Sequence, residues 1–373
     1  MKKLNATLCI VFLVFVYGFA GAHLLMPDRS FSEMENRMLA KVPRATFKKV
    51  FSGQYATEFT AYLNDQFPLR DGFKSMSTAY QYITLKREIG GVYLKGQRLF
   101  SHLQEADATL LNQNIQSIRK LQETLAIPVY VALIPDAACI LKDELPSGAP
   151  GLNQEELIQK VYGEIGENCL DIASSLLFHK DEDIFYRTDH HWTSLGAYYG
   201  YEELIRALGM QPVALSSYKK TELSDDFYGT LYAKAPAFWI YPDTIESYAG
   251  DLGTTLSVFD GTGFKEGSLY VPENLAKKDQ YAVFLGGNQP LIVLETVFEN
   301  EPNLLVLRDS YFDSLTPFLQ THFSSVHLID VRYYQKTIED YIRDHDIDIV
   351  LCAYSVDQFS HVVRLSTVVG SLF

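Results

Sequence analysis

Four short runs of this chain are almost wholly apolar, and each breaks off in a polar turn. They are IPVYVALIPDA (127–137), NLLVLRDSY (303–311), SVHLIDVRYY (325–334) and IDIVLCAYS (347–355). Short apolar runs rich in β-branched residues read as strands covered on both faces. Helical spacing fills the gaps between them: an amphipathic stretch at 106–126, EELIQKVYGEIGE at 155–167, Leu195 to Leu208, and the windows 313–323 and 335–344. Thr193 or Ser194 is the expected N-cap of the third of these, with Gly209 as its C-cap. YAVFLGG (281–287) reads as a further strand ending in glycines, and GGVYLKGQRLFS (90–101) as a short hairpin. Strands alternating with helices predict an α/β fold, a doubly wound parallel sheet with helices on both faces. In such sheets reactive groups gather at the carboxyl ends of the strands. Residues 215–280, rich in Tyr, Gly, Asp and Pro, break the rhythm as an irregular or β-rich insertion that would help form a substrate cleft.

The N-terminus carries a different signal. Met1-Lys2-Lys3 is a short basic region, Leu4 to Phe19 is almost wholly apolar, and Ala20-Gly21-Ala22 is a small-residue stretch of the kind a signal peptidase cuts. The apolar run extends weakly to Met26, long enough to span a bilayer uncut. Residues 1–26 are therefore a signal peptide or a membrane anchor, and the lysines orient the rest of the chain outside the cytoplasm. Residues 27–90 form an N-terminal leader, largely helical between 54 and 88, expected to pack on the core, and 91–373 form the main domain. The formal net charge of −14 disfavours nucleic acid as a partner. Three cysteines follow the apolar run, an odd number without CxxC spacing, which points away from a disulfide framework or a zinc site. The 24 tyrosines fit either a sugar-contacting surface or ordinary core and surface aromatics.

Chemistry-bearing residues concentrate in two places. In LLVLRDSYFDSL (304–315), Ser310 falls at the carboxyl end of a strand and at the start of a helix. Backbone N–H groups there favour a developing oxyanion, and a serine so placed is a nucleophile if a base reaches it; it is equally an ordinary N-cap. YRTDHHWTS (186–194) also precedes a helix. A serine nucleophile needs a histidine base and that histidine needs a carboxylate, and His191 and Asp189 can supply both. A polar capping turn with one buried histidine is the alternative. His179, Asp181, Glu182, Asp183, Asp189, His190 and His191 are all capable of ligating a metal, but no HExxH, HxH or HxxxH spacing organises them, so no metal is expected.

RTDHHWTSLGAYYGY (187–201) resembles the signature of the DHHW protein family, which is itself similar to the periplasmic alginate O-acetylation proteins and their SGNH hydrolase-like domain. SEMENRMLAKVP (32–43), YLNDQFPLRDGF (62–73), DFYGTLY (226–232) and IDVRYY (329–334) also look like family features. The resemblance implies that Ser310 is the nucleophile, His191 the general base and Asp189 its orienting carboxylate, with the Asp-x-His pair preceding the serine. It places the Ser310 N–H in the oxyanion hole, with Gly287 and Asn288 of FLGGNQP as further donors or else a plain strand-ending turn. Arg308 and Tyr311 would shape the site, and Trp192 would pack under the histidine or line the cleft. The activity implied is serine-dependent O-acetyl transfer to a cell-surface or secreted polysaccharide, without a cofactor, with a membrane-bound O-acyltransferase as acyl donor partner. A carbohydrate acetyl esterase would use the same three residues, and a non-catalytic polysaccharide-binding or assembly protein would need none of them. Two departures stand out. The relatives often carry lysine in a Pro-x-Lys turn after the first core strand, where this chain has Pro135-Asp136-Ala137. No appended carbohydrate-binding domain is expected after the core, so polymer binding would come from the core or a partner.

Overall fold

The apolar runs become the centre of an eight-stranded mixed sheet in the computed structural model, which describes residues 2–369. In chain order its strands are β1 (Val129–Ile134), β2 (Cys169–Leu170), β3 (Thr255–Phe259), β4 (Phe264–Glu266), β5 (Leu291–Glu295), β6 (Asn303–Arg308), β7 (Ser325–Ile329) and β8 (Ile349–Ser355). Their spatial order is β4-β3-β5-β7-β6-β8-β1-β2. Strands β7, β6, β8, β1 and β2 run parallel, whereas β5, β3 and β4 extend the sheet antiparallel.

Burial on both faces follows the strand period of two. Along β6, Leu304 and Val306 belong to one core cluster and Leu305 and Leu307 to the other. The first face is covered by helices Ile172–Phe178 and Ser194–Ala207, the second by Ala108–Thr124, Gln154–Ile165 and Ile338–Asp344. The helix Ser194–Ala207 is capped by Thr193, whose side chain accepts from the Gly196 N–H.

Two expected elements differ. YAVFLGG is not a strand: Gln280–Val283 is a 3₁₀ turn, and Leu285, Gly286 and Gly287 all have positive φ, a run of left-handed residues that no strand accommodates. The neighbouring LIVLE forms β5 instead. The window 313–323 is not an α-helix but contains the 3₁₀ segment Thr316–Thr321, in which Pro317 removes an amide donor; a separate 3₁₀ turn, Ser310–Phe312, precedes it. The insertion is β-rich, and it supplies the antiparallel strands β3 and β4.

By its internal contacts the chain divides into two units, Met1–Lys86 with Tyr232–Trp239, and Arg87–Leu231 with Ile240–Phe373. In the first, helix Lys2–Leu25 includes a 22-residue apolar stretch, Leu4–Leu25, long enough to cross a membrane. Two motifs of the leader meet there through charge. Asp65, in YLNDQFPLRDGF, accepts hydrogen bonds from Arg37 and from the Ala40 N–H, both in SEMENRMLAKVP, and Glu35 pairs with Arg70 and Lys74. The Arg37 guanidinium holds the Asp65 carboxyl down at about 2, against the opposing effect of burial.

Trp192 is fully buried where the first of the two faces meets helix Ser194–Ala207. Gly196 and Gly200 let the chain approach it: a Cβ at Gly196 would sit 2.3 Å from the Ile184 carbonyl oxygen, and one at Gly200 2.7 Å from the Trp192 ring. Alanine gains about 1 kcal/mol of helix propensity over glycine, but a backbone carbonyl cannot yield. We expect Gly196→Ala to destabilise the chain by about 1–3 kcal/mol through overpacking, read as a lower urea midpoint at unchanged slope.

Candidate active site

The turn between Phe185 and Trp192 is held open by hydrogen bonds to one buried carboxylate. Asp243 accepts from the backbone N–H of Arg187 and Thr188 and from the Thr188 hydroxyl, at 3.0, 2.8 and 2.6 Å. An isolated bridge pairs Phe185 with Trp192, and the Tyr186 N–H donates to the His191 carbonyl. The loop so closed turns Asp189 and His191 toward the end of β6.

Asp189 is almost fully buried, and four donors meet its two oxygens. Oδ1 accepts from the His191 backbone N–H at 3.0 Å and from His191 Nδ1 at 2.6 Å. Oδ2 accepts from the Thr230 N–H at 2.7 Å and its hydroxyl at 2.9 Å. Thr230 Oγ1 in turn accepts from His190 Nδ1 at 2.6 Å. Burial raises the Asp189 pKa, but the two histidines and their hydrogen bonds outweigh it and hold the carboxyl well below its usual range.

That carboxylate fixes the histidine tautomer. Nδ1 carries the proton, because an ionised carboxylate can only accept, so Nε2 of the neutral ring is an acceptor. It lies 2.8 Å from Ser310 Oγ. Burial, aided by repulsion from His190 and opposed by Asp189, pushes the His191 imidazole down to about 4. Its ring stacks on Tyr281, with centroids 3.8 Å apart and planes 6° from parallel. The Tyr281 hydroxyl lies 3.1 Å from both the Ser310 carbonyl, to which it donates, and Ser314 Oγ.

Ser310 opens the 3₁₀ turn at the carboxyl end of β6. Asp309 anchors that turn: one oxygen accepts from the Tyr311 N–H and the other from the Ser355 N–H and hydroxyl at the end of β8. The Ser310 N–H itself has no hydrogen-bond partner among the described residues. It is thus available to an oxyanion.

The other expected residues are placed differently. Tyr311 is buried against the site, its hydroxyl donating to the His190 carbonyl and its ring centroid 5.1 Å from that of His191. Trp192 is core, with Nε1–H donating to the Tyr311 carbonyl, rather than lining a cleft. Arg308 is fully buried and ion-paired with Asp313 at 2.7 Å, so it presents no surface to a substrate. The Gly287 N–H donates to the Phe284 carbonyl, which removes it as an oxyanion donor. Asn288 is exposed, its side-chain oxygen 3.5 Å from Arg332 Nη2. Asp189, His190 and His191 are close enough together to ligate a metal, but the Asp189 oxygens and both His191 nitrogens already have hydrogen-bond partners. Sequence reasoning missed Asp243, Thr230 and Tyr281. DFYGTLY was the one available signal for Thr230.

A family model described as DHHW protein matches residues 88–329. The solved structure of a DHHW family protein from Eubacterium siraeum is 25% identical, with a TM-score of 0.63, over 73% of this chain and 93% of that one. Bacillus cereus PatB1 shares the fold at 20% identity, with a TM-score of 0.64, over 74% of this chain and 99% of that one. A probable alginate O-acetylase AlgJ from Azotobacter vinelandii is 26% identical over 197 residues, half of each chain. The present chain therefore spans about half the length of that curated relative.

Gly229 leaves no room for a side chain, since a Cβ there would lie 2.2 Å from the Asp189 Cβ. Gly229→Ala should displace Asp189 from Thr230 and His191 and slow labelling of Ser310 by phenylmethylsulfonyl fluoride at least tenfold, followed by intact-protein mass. Thr230→Val, which removes one neutral-donor hydrogen bond of about 1 kcal/mol, should slow it only several-fold.

Proposed function

The chain belongs to the DHHW protein family, and from that premise we propose that it is an extracytoplasmic, serine-dependent O-acetyltransferase acting on a cell-surface or secreted polysaccharide. The observation that carries this reading is the unbroken line of hydrogen bonds from Asp189 through His191 to Ser310 Oγ. Ser310 Oγ attacks the acetyl carbonyl of a donor while His191 Nε2 takes its proton. The Ser310 N–H stabilises the oxyanion. Collapse expels the donor's leaving group, which receives the proton from His191, and leaves acetyl-Ser310. A sugar hydroxyl, deprotonated by His191, then attacks the ester, and Ser310 recovers its proton as the acetylated sugar leaves. Asp189 stays ionised throughout and stabilises the imidazolium.

The apolar helix Lys2–Leu25, as anchor or signal, would place residues 91–373 as a catalytic domain outside the cytoplasm. The acetyl donor would then come from a membrane-bound O-acyltransferase that carries the acyl group across the bilayer. Water in place of the sugar hydroxyl would make the same machinery a carbohydrate acetyl esterase.

The first test is turnover of 4-nitrophenyl acetate by the full chain, beside Ser310→Ala. Wild type should release nitrophenol and show an acetyl adduct by intact-protein mass; Ser310→Ala should lose about 10³-fold or more in rate and all of the adduct. Equal rates in the two proteins would overturn the reading. Oligosaccharide acceptors then separate transfer from hydrolysis.

The base must be neutral to act. Because the His191 pKa is lowered from its usual 6.5 to about 4, the neutral form persists to lower pH. The acidic limb of kcat/KM should accordingly fall well below pH 6, and a midpoint at 6.5 or above would contradict the buried, neutral imidazole.

A further inference from the structure

We propose that the cavity lined by Phe259, Phe264, Leu291, Tyr334, Tyr341 and His345 is a glycan subsite, holding one or two pyranose units of the acceptor polysaccharide at a distance from the serine. The proposal rests on the O-acetyltransferase reading for its choice of ligand. The cavity encloses about 450 Å³, within the range of small-molecule sites.

Its lining has the mixed character that a sugar ring requires, apolar faces beside free hydrogen-bonding groups. Phe259 and Phe264 lie 5.3 Å apart between centroids, and Tyr341 and His345 4.2 Å apart. Phe264 is 59% exposed, an open aromatic face. The ring of Tyr334 is buried, yet its hydroxyl has no hydrogen-bond partner among the described residues, and neither does the His345 imidazole or the Lys336 ammonium. By contrast, the Tyr341 hydroxyl is held by His327 at 2.7 Å, which locks that ring in place. Asp340 is oriented by Thr337 and Arg343, leaving carboxylate lone pairs at the rim to accept from sugar hydroxyls.

Position links the cavity to the reaction. Leu291 pairs with Ile329, and Ile329 with Leu307, three residues before Ser310. Two strand spacings, about 10 Å, therefore separate Leu291 from the strand that carries the serine. The Phe259 and Leu291 end of the cavity lies, like Ser310, at the carboxyl-terminal edge of the parallel strands, whereas Asp344 and His345 line its far end. The turn after β7 runs between them: Arg332, gripped by Asp330, reaches Gln358 and Asn288, Tyr333 is exposed, and Tyr334 enters the cavity. A polymer seated on the rings would run along this turn toward Ser310.

The test measures binding and chemistry separately, on the full chain in detergent. Saturation-transfer NMR with cellotetraose, chitotetraose and tetramannuronate gives Kd, and 4-nitrophenyl acetate hydrolysis reports the serine. At least one tetrasaccharide should bind, and Phe264→Ala and Tyr334→Phe should each raise its Kd at least fivefold while hydrolysis stays within twofold of wild type. The subsite is overturned if none of the three binds, or if both variants leave Kd within twofold. Binding that depends on the rings in a protein whose ester hydrolysis survives Ser310→Ala would sink the serine reading alone.

Discussion

An anion with almost no access to water has to be met by donors on every side, and the site of this protein is arranged around one such anion, Asp189. Each of its four donors determines something else. The His191 N–H sets the turn, and His191 Nδ1 sets the tautomer and hence the acceptor that faces Ser310. The Thr230 N–H and hydroxyl bring DFYGTLY against the loop, and the closeness of that approach leaves position 229 without space for a Cβ. A second buried carboxylate, Asp243, holds the residues just upstream in the same way. The histidine is thus oriented by a carboxylate and stacked on Tyr281 before any substrate arrives.

The serine is positioned by different means. Its turn is a continuation of β6, whose side chains are buried alternately on two faces, so its place is set by sheet register. Asp309 adds a clasp to β8, and Tyr281 one to the Ser310 carbonyl. Two rigid supports, one a hydrogen-bonded loop and one a strand end, bring an imidazole and a hydroxyl from positions 119 residues apart to 2.8 Å. Precision of this kind comes from elements locked by their own packing rather than from the pair's attraction, which is a single hydrogen bond.

The parallel centre of the sheet was legible because its strands are buried on both faces and leave unbroken apolar runs. Asp189, His191 and Ser310 stood out because serine acyl chemistry would demand those residue types next to helix or strand ends, and the fold brings the three within hydrogen-bond distance. The misreadings have a common cause. YAVFLGG is apolar because Tyr281, Val283 and Phe284 fill a small cluster with Tyr186, Phe227 and Ile245, not because it pairs in a sheet. Its backbone is decided by Leu285 adopting positive φ beside two glycines, which hydrophobic patterning does not report. Arg308 is polar in sequence and looked available to a ligand, yet its partner Asp313 lies five residues on, beyond a turn that periodicity reads as helix. Asp243 and Tyr281 serve the site from distant segments, and a single sequence carries no signal of such pairing.

The position of β8 bears on when the Ser310 turn is completed. It is the last strand of the sheet in the chain, yet it lies between β6 and β1, and its final residue, Ser355, supplies two of the hydrogen bonds that hold Asp309 beside the serine. As the chain emerges from a ribosome, Asp189, His191 and Ser310 all appear before the strand whose last residue clasps Asp309. The Ser310 turn therefore lacks this clasp until β8 has been made. The turn that carries Ser310 is thus finished by a strand made after it, and the order of synthesis and the order of the sheet run crosswise at this point.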